Sequence, residues 1–473
     1  MRSPLFAFAL LLAGCTGSAA SPSPPVARTD VPPPPPPAKP VGWSHSYGTN
    51  LWPWAVAVGA DDRIAVIGWS EGTCDLGRFH LEVPREAGFL AWFDADGAVA
   101  GARTFTAAKP IHASIAAAPG GDWILAGHFV GTLDLGAGAM EARGETDAFL
   151  ARLDASGALR WQKQFSGAEK QKIFDVAVTP AGEIAVVGTY GDGALDLGTG
   201  PMPDRGRTDI FVASFTQDGA PRWAKSYGDD KDQWAWSIAV DATGSIAIGG
   251  SVESPLDLGD GVVARDTRSS SNGWVAKLDS KGRALWARAF ASIRHHHRIH
   301  DLAMGPDGGV VVAGLVGGVA GQIALGDATL TGSAILSDAF VASLDANGGA
   351  RFFSLAGTPG TRDIDQHARD VVVARSGEIL VHGSHEVITD KGNALGFDHA
   401  AYFQTFDSHG AAHPTRVVRA IDEAAVGHAI ALDSRGRVIT VGAFKGTLDF
   451  GMGAMTTRPG RHEYAMFLAA LVP

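Results

Sequence analysis

A short string returns along this chain about every sixty residues. It reads Asp75-Leu76-Gly77, Asp134-Leu135-Gly136, Asp196-Leu197-Gly198, Asp257-Leu258-Gly259 and Asp449-Phe450-Gly451. The stretch between the last two leaves room for two more copies, and weaker matches fill it at Ala324-Leu325-Gly326 and Ala394-Leu395-Gly396. Self-similarity at this period means an architecture of stacked units, each unable to bury its apolar face alone. Seven units are expected.

The unit from Phe174 to Gly228 shows what each one folds into. Apolar residues alternate at period two in four runs, "DVAVT", "IAVVGTY", "DIFVASF" and "PRWAKSY", separated by turn signals. Ala181-Gly182 and Asp218-Gly219 suit the positive φ angles of tight hairpins. Period-two alternation excludes helical solenoids. Four antiparallel strands repeated seven times predict a seven-bladed β-propeller, in which each sheet packs on its neighbours and few edges stay open. The first strand keeps one small side, with Ala57, Ala116, Ala177, Ala239, Ala303 and Ala431, as closely stacked blades require.

The two ends of the repeat fit together. The last unit stops at a third strand, "EYAMFLAALVP", while "GWSHSYG" from Gly42 matches the fourth-strand text "RWAKSYG" from Arg222. The strand around Trp43 is therefore expected to complete the last blade, with the propeller spanning 41–473.

The stretch "SYGDDKDQWAWSIAVDATGSIAIGGS" from Ser226 resembles the bacterial β-propeller repeats called SBBP, whose units share a Gly-rich strand end and a VDatG hairpin. That resemblance covers nearly all of 42–473 and implies export to the cell surface. It is a structural repeat and brings no catalytic residues with it. Segments such as "LDASGALRW" and "LDSKGRALW" also resemble the tryptophan-docked blades of quinoprotein-like propellers. The shared part is the hairpin and Trp161, Trp223 and Trp286, with Gly101 and Phe352 standing at the equivalent place in other units.

The N-terminus carries one positive charge and then an apolar run from Leu5 to Ala13, too short for a permanent membrane span. Its end, Leu12-Ala13-Gly14-Cys15, resembles a bacterial lipobox, which implies a signal peptide over 1–14 and lipidation of Cys15. Thr16 after the cysteine implies an outer-membrane address, on the periplasmic side or at the cell surface. From Cys15 to Pro40 the chain is Pro-rich and reads as a disordered, extended spacer. With Cys15 acylated, only Cys74 remains, so no internal disulfide forms and Cys74 is expected as a buried small residue. A net charge of -11 with no basic stripe argues against nucleic acid as a partner. A monomer is expected.

Candidate chemistry lies where the connections between units converge. The segment "ASIRHHHRIHD" holds the histidines from His295 to His300 before Asp301; "DIDQHARD" holds His367 and Asp370, and "AVGHAIALD" holds His428. Ser114, Asp175, Ser237, Asp301 and Asp370 share one position of the first strand and are the channel-mouth binding candidates. Two readings stay open. In one, His300, Asp301, Asp370 and His428 transfer protons around a central channel, as in a propeller hydrolase or lyase. In the other, the Ser and Asp side chains cap strands, and the protein is a non-enzymatic module that binds a protein or glycan through its loop rim.

The recurring Asp-Leu-Gly is read as loop maintenance: leucine as anchor, aspartate accepting backbone N–H bonds and glycine supplying positive φ. Calcium is the rival, with Asp94, Asp96 and Asp229 to Asp232 as partial echoes, but the dense spacing of a dedicated calcium loop is absent. No metal site and no other cofactor is expected. No HExxH string or P-loop occurs.

Overall fold

The computed structural model describes residues 42–472, apart from 83–85, 110, 192, 265–271, 293–296, 318–320, 333–336, 359–363, 391–394, 422–423 and 458–463. Cys15, the signal segment and the Pro-rich spacer therefore lie outside the described residues, as do His295 and His296. Strands alone make up the regular structure of the described residues.

Seven antiparallel four-stranded sheets follow one another along the chain, six with their strands in sequence order and the last completed by a strand from the N-terminal end. The third blade consists of Lys170–Val178, Ile184–Gly191, Asp209–Phe215 and Pro221–Tyr227. The first strands of the seven blades are Leu51–Val58, His112–Ala117, Lys170–Val178, Gln233–Val240, His297–Met304, Ile364–Val373 and Ala425–Leu432. Each touches the first strands of both neighbouring blades, so together they ring the central axis. The protein is a seven-bladed β-propeller.

Buried apolar side chains fall into seven clusters, and each cluster belongs to two adjacent blades. No blade has a core of its own. This follows from sheets that are apolar on both faces, which must be covered on both faces by other sheets.

One pairing recurs in all seven blades. Gly68, Gly127, Gly188, Gly250, Gly314, Gly383 and Gly442 on the second strands lie opposite Phe89, Phe149, Phe211, Trp274, Phe340, Tyr402 and Phe467 on the third. These aromatic residues are completely buried. A β-carbon on any of the seven glycines would overlap the backbone carbonyl oxygen of the first strand, at Trp52, His112, Lys172, Trp234, Arg298, His367 or Val426. Glycine lets the first strand press close, and the aromatic ring covers the surface that glycine leaves bare.

The ring closes as its ends suggested. Trp43–Tyr47 pairs antiparallel with Ala465–Leu471 over five rungs, making the fourth strand of the last blade. Trp43 Nε1 then donates to Ala95 O of the first blade at 3.3 Å, and its ring stacks against Gly97. The same dock recurs where Trp161 reaches Gln217 O at 3.2 Å, Trp223 reaches Ser280 O at 3.1 Å and Trp286 reaches Ala346 O at 2.8 Å. In the first blade Gly101 occupies the docking position, and Trp92 from the adjacent strand fills the space and packs on Gly157.

The Asp-Leu-Gly strings form small hairpins at the outer edge. Asp134 Oδ1 accepts the N–H of Gly136 at 2.7 Å and of Gly138 at 3.2 Å, and Asp196 Oδ1 accepts those of Gly198 and Gly200 at 2.7 and 3.0 Å. Gly136 and Gly198 have φ of 110° and 97°, a region that favours glycine. Leu133, Leu135, Leu195 and Leu197 are buried beneath the hairpins, and Cys74 takes the equivalent place of Leu133 in the first blade with 1% exposure. Several hairpins add to the last strand of the preceding blade, as Leu133 does opposite Ala107 and Leu448 opposite Ala420. They face away from the axis.

Blade six departs from the pattern. Leu395 and Gly396 belong to one long ladder, Ile379–Asp390 against Leu395–Phe406, in which Asp390 pairs with Leu395 and Thr389 with Gly396. Leu395 and Gly396 of the weak sequence match thus belong to this ladder, while Ala394 lies outside the described residues.

Because the last blade is built from both ends of the chain, deleting residues 41–48 exposes the edge of Ala465–Leu471 and removes the Trp43 dock. Thermal unfolding followed by circular dichroism should show the whole ring melting at a clearly lower temperature, not a fraction of it.

Candidate functional site

Beside six of the seven glycines the first strand has a second feature, at the axis. In six blades the first strand carries one extra residue here, and its pairing register shifts between Pro53 and Ala55, Ile173 and Asp175, Ala235 and Ser237, Ile299 and Asp301, Ala368 and Asp370, and Gly427 and Ala429. Such a β-bulge leaves the extra residue unpaired and re-aims its side chain. The bulged residues are Trp54, Phe174, Trp236, His300, Arg369 and His428. Blade two has no bulge, and His112, Ala113 and Ser114 pair in unbroken register.

The residue before each bulge points into the packed interior, with Ile173 at 1% exposure and Ala235, Ile299 and Ala368 at 0%. By alternation, the residue two before the bulge shares the axial face with it. These are Trp52, Lys172, Trp234, Arg298, His367 and Val426, joined by His112 from blade two. The mouth of the channel is therefore lined by two rows of side chains.

Rings dominate one arc of this mouth. His428 approaches Trp54 at 6.2 Å between centroids, Trp54 approaches His112 at 5.2 Å, and His112 stacks on His128 at 5.2 Å. His128 approaches Phe174 at 5.7 Å, and Phe174 lies 4.7 Å from Trp236. Trp234 and Trp236 stack at 5.0 Å with planes 7° apart. The opposite arc carries Arg298, His300, His367 and Arg369, with His300 and His367 5.8 Å apart. Arg369 Nε donates to Ser384 Oγ at 2.8 Å.

One residue below the bulges runs a belt of Ser and Asp side chains that ties blade to blade. Asp175 accepts from Ser114 Oγ of blade two at 2.8 Å and from the Ile238 N–H of blade four at 2.9 Å. Asp301 accepts from Ser237 Oγ at 2.7 Å and from the Val371 N–H at 2.9 Å, and Asp370 accepts from the Ile430 N–H at 2.8 Å. The belt runs unbroken from blade two to blade seven. Ala55 and Ala429 hold its position in blades one and seven. There the ring is held instead by the N-terminal strand and by Asp62, which accepts from Ser434 N–H and Oγ, each at 2.7 Å.

Burial governs the titration of these groups. It pushes Asp175 up to about 7, with the charge of Asp301 adding to the effect. Asp370 is raised well above the usual carboxylate range by burial and by its bond to Asp301. Burial also lowers His128, His300, His382, His385 and His428 to about 4, so all five are neutral near pH 7. Nδ1 of His300 lies 3.0 Å from the Ala368 carbonyl, which only accepts; the proton sits on Nδ1 and Nε2 is left as a base. Three polar atoms at bulge positions, Trp54 Nε1, Trp236 Nε1 and His428 Nε2, are shielded from solvent and meet no protein hydrogen-bond partner.

The structure thus places the candidates from the sequence in two separate sets. Ser114, Asp175, Ser237, Asp301 and Asp370 form the belt. His300 and His428 are mouth-lining bulge residues in blades five and seven. His297, from the run of adjacent histidines, turns the other way and is fully buried, with Nε2 3.2 Å from Gln322 O of the outer hairpin. Sequence reasoning missed Trp54, Phe174, Trp236 and Arg369, because an extra residue breaks the very alternation used to find the strand. Among the described residues no group of three or more His, Cys, Asp and Glu is arranged to hold a metal ion. Asp94 and Asp229 accept backbone N–H bonds in their own loops, from Asp96 and Ala98 at 3.0 and 2.9 Å and from Lys231 at 3.0 Å.

No protein-family model matches the chain, and no curated protein matches it. Among solved structures it is similar to hydrazine synthase of Kuenenia stuttgartiensis, at 10% identity and a TM-score of 0.46, over 86% of this chain and 95% of the other. A virginiamycin B lyase from Staphylococcus aureus gives 8% identity and a TM-score of 0.38, over 91% and 100%. The gluconolactonase XC5397 of Xanthomonas campestris gives 13% and 0.31, over 91% and 89%.

The five depressed imidazoles stabilise the fold above their unfolded value of 6.5, and that contribution is lost as pH falls toward 4. Asp175 has the opposite sign, since its raised value favours the fold at low pH and the benefit is lost as pH rises through about 7. Urea midpoints should therefore fall between pH 6.5 and 4 in the wild type. They should fall less in His428→Phe, which has one fewer imidazole to protonate on unfolding.

Proposed function

We propose that this protein is a lipid-anchored envelope propeller of the SBBP type that binds a glycan or protein ligand at its channel mouth without chemical turnover. The observation that carries the reading is the set of unpaired buried polar atoms, Trp54 Nε1, Trp236 Nε1 and His428 Nε2, on three bulges around one opening. Buried polar groups are normally hydrogen-bonded, and donors set among aromatic faces are what a sugar or peptide engages. The belt supports the same reading, since Asp175, Asp301 and Asp370 already spend oxygens on fastening blades together. Lipidation of Cys15, an outer-membrane address and a Pro-rich spacer over 15–40 would hold this mouth away from the membrane surface.

One arrangement favours a hydrolase or lyase instead. Asp301 helps to raise the buried Asp370 carboxyl, and His300, the residue before Asp301 in the chain, is neutral with Nε2 able to take a proton. In that reading His300 is the base and the carboxyl pair supplies the proton.

Titrating the full chain, its acylated Cys15 verified by mass spectrometry, with envelope glycan and protein fractions separates the two. Tryptophan fluorescence should change on binding with no new product, and Trp54→Ala or Trp236→Ala should weaken binding by about ten-fold, the worth of one buried aromatic contact. Product formation abolished by both His300→Gln and Asp370→Asn would replace this reading with the enzymatic one.

A further inference from the structure

The mouth is not uniform around its circumference. Where blades three and four meet, a cavity of about 250 Å³ opens beside it, lined by Lys170, Lys172, Thr189, Tyr190, Arg207 and Trp234 among others. Three cations converge here on a chain whose net charge is -11. Two of them already have acidic neighbours: Lys170 Nζ lies 3.2 Å from Glu145, and Arg207 lies 3.8 Å from Asp232. Lys172 stands between them on the axial row of the first strand. It is half-buried, and burial together with the charge of Lys170 lowers its pKa. Glu145 partly offsets the repulsion from Lys170, and an entering anion would offset it further.

The wall opposite the lysines is aromatic. Trp234 is held from behind, because its ring stacks on Trp236 at 5.0 Å and its carbonyl accepts the Nε1–H of Trp274 at 3.1 Å. An indole face fixed in this way suits the C–H face of a pyranose ring, and an ammonium beside it suits an acidic substituent on that ring. The volume of about 250 Å³ fits a single sugar residue. Thr189, paired with Lys172, and Thr208 also line the cavity.

We propose that this seam pocket binds an acidic sugar residue of a polysaccharide, with its ring on Trp234 and its carboxylate or phosphate at Lys172. The proposal rests on the binding reading above and names the ligand class for it. The aromatic arc from Trp236 to Trp54 then continues the path along which neighbouring sugars lie.

The test is calorimetric titration of the full chain with trigalacturonate, galacturonate monomer, glucose 6-phosphate and neutral maltotriose. Trigalacturonate should bind more tightly than the monomer and than maltotriose, and its affinity should fall with added salt. A phosphorylated sugar that binds while both uronates do not would assign the acidic group to phosphate. Lys172→Met and Trp234→Ala should each weaken trigalacturonate by about ten-fold or more, whereas Lys163→Met, on an outer strand, should not. Maltotriose binding as tightly as the acidic sugars, with Lys172→Met unchanged, overturns the acidic-sugar assignment and leaves glycan binding at the mouth standing. If none of the four sugars binds, the acidic-sugar assignment fails, and protein ligands remain for the mouth itself.

Discussion

The structure depends on the approach of the first strand to a glycine of the second, backed by an aromatic ring on the third. At Gly188 the neighbours are the carbonyl of Lys172 on one side and Phe211 on the other, and the same trio returns in every blade. Tight contact at this level makes each blade thin enough to stack seven around an axis. In six of the blades it coincides with the bulge that turns a side chain toward the channel. One geometric device therefore serves both the scaffold and the mouth. The repeat conserves the backbone arrangement in each blade and leaves the bulged side chain to vary among Trp, Phe, His and Arg.

Fastening and recognition are divided between adjacent positions of the same strand. Asp175, Asp301 and Asp370 bind one blade to the next, while Phe174, His300 and Arg369, one residue earlier, face the axis. This division explains why acidic groups at the centre of the ring coexist with neutral imidazoles. The carboxyls are held by backbone N–H groups and hydroxyls, so no histidine needs to be charged to balance them. It also explains where the belt stops. Blades one and seven, which carry Ala55 and Ala429, are joined by a strand from the other end of the chain and by the Asp62 to Ser434 bonds.

Much of this was legible in the sequence. The sixty-residue period gave the blade number, the four alternating runs gave the sheets, and the match between Gly42 and Arg222 gave the closure. The site was less legible for a physical reason. The run "DVAVT" alternates cleanly from Asp175, but the strand begins at Lys170, and the bulge at Phe174 interrupts the alternation between the two. Strict period two thus ended the strand just short of the residues that face the channel. Two signals were present. A glycine recurs on each second strand thirteen residues after the belt position, and an aromatic residue recurs on each third strand. The Asp-Leu-Gly string, though the easiest feature to see, marks peripheral hairpins, and in blade six its Leu395 and Gly396 lie in a long ladder instead.

The central claim is that the glycines let the first strand press close and that in six blades a bulge at this level sets the mouth; Gly250 is the place to test it. Its β-carbon position overlaps the carbonyl of Trp234, and the bulge it faces carries Trp236, whose ring stacks on Trp234. Stacked indoles give an exciton couplet in circular dichroism. The account predicts that Gly250→Ala loses this couplet and unfolds at lower urea, by about 1–3 kcal/mol, as forced overpacking does. A Gly250→Ala protein that keeps both its couplet and its stability would contradict it.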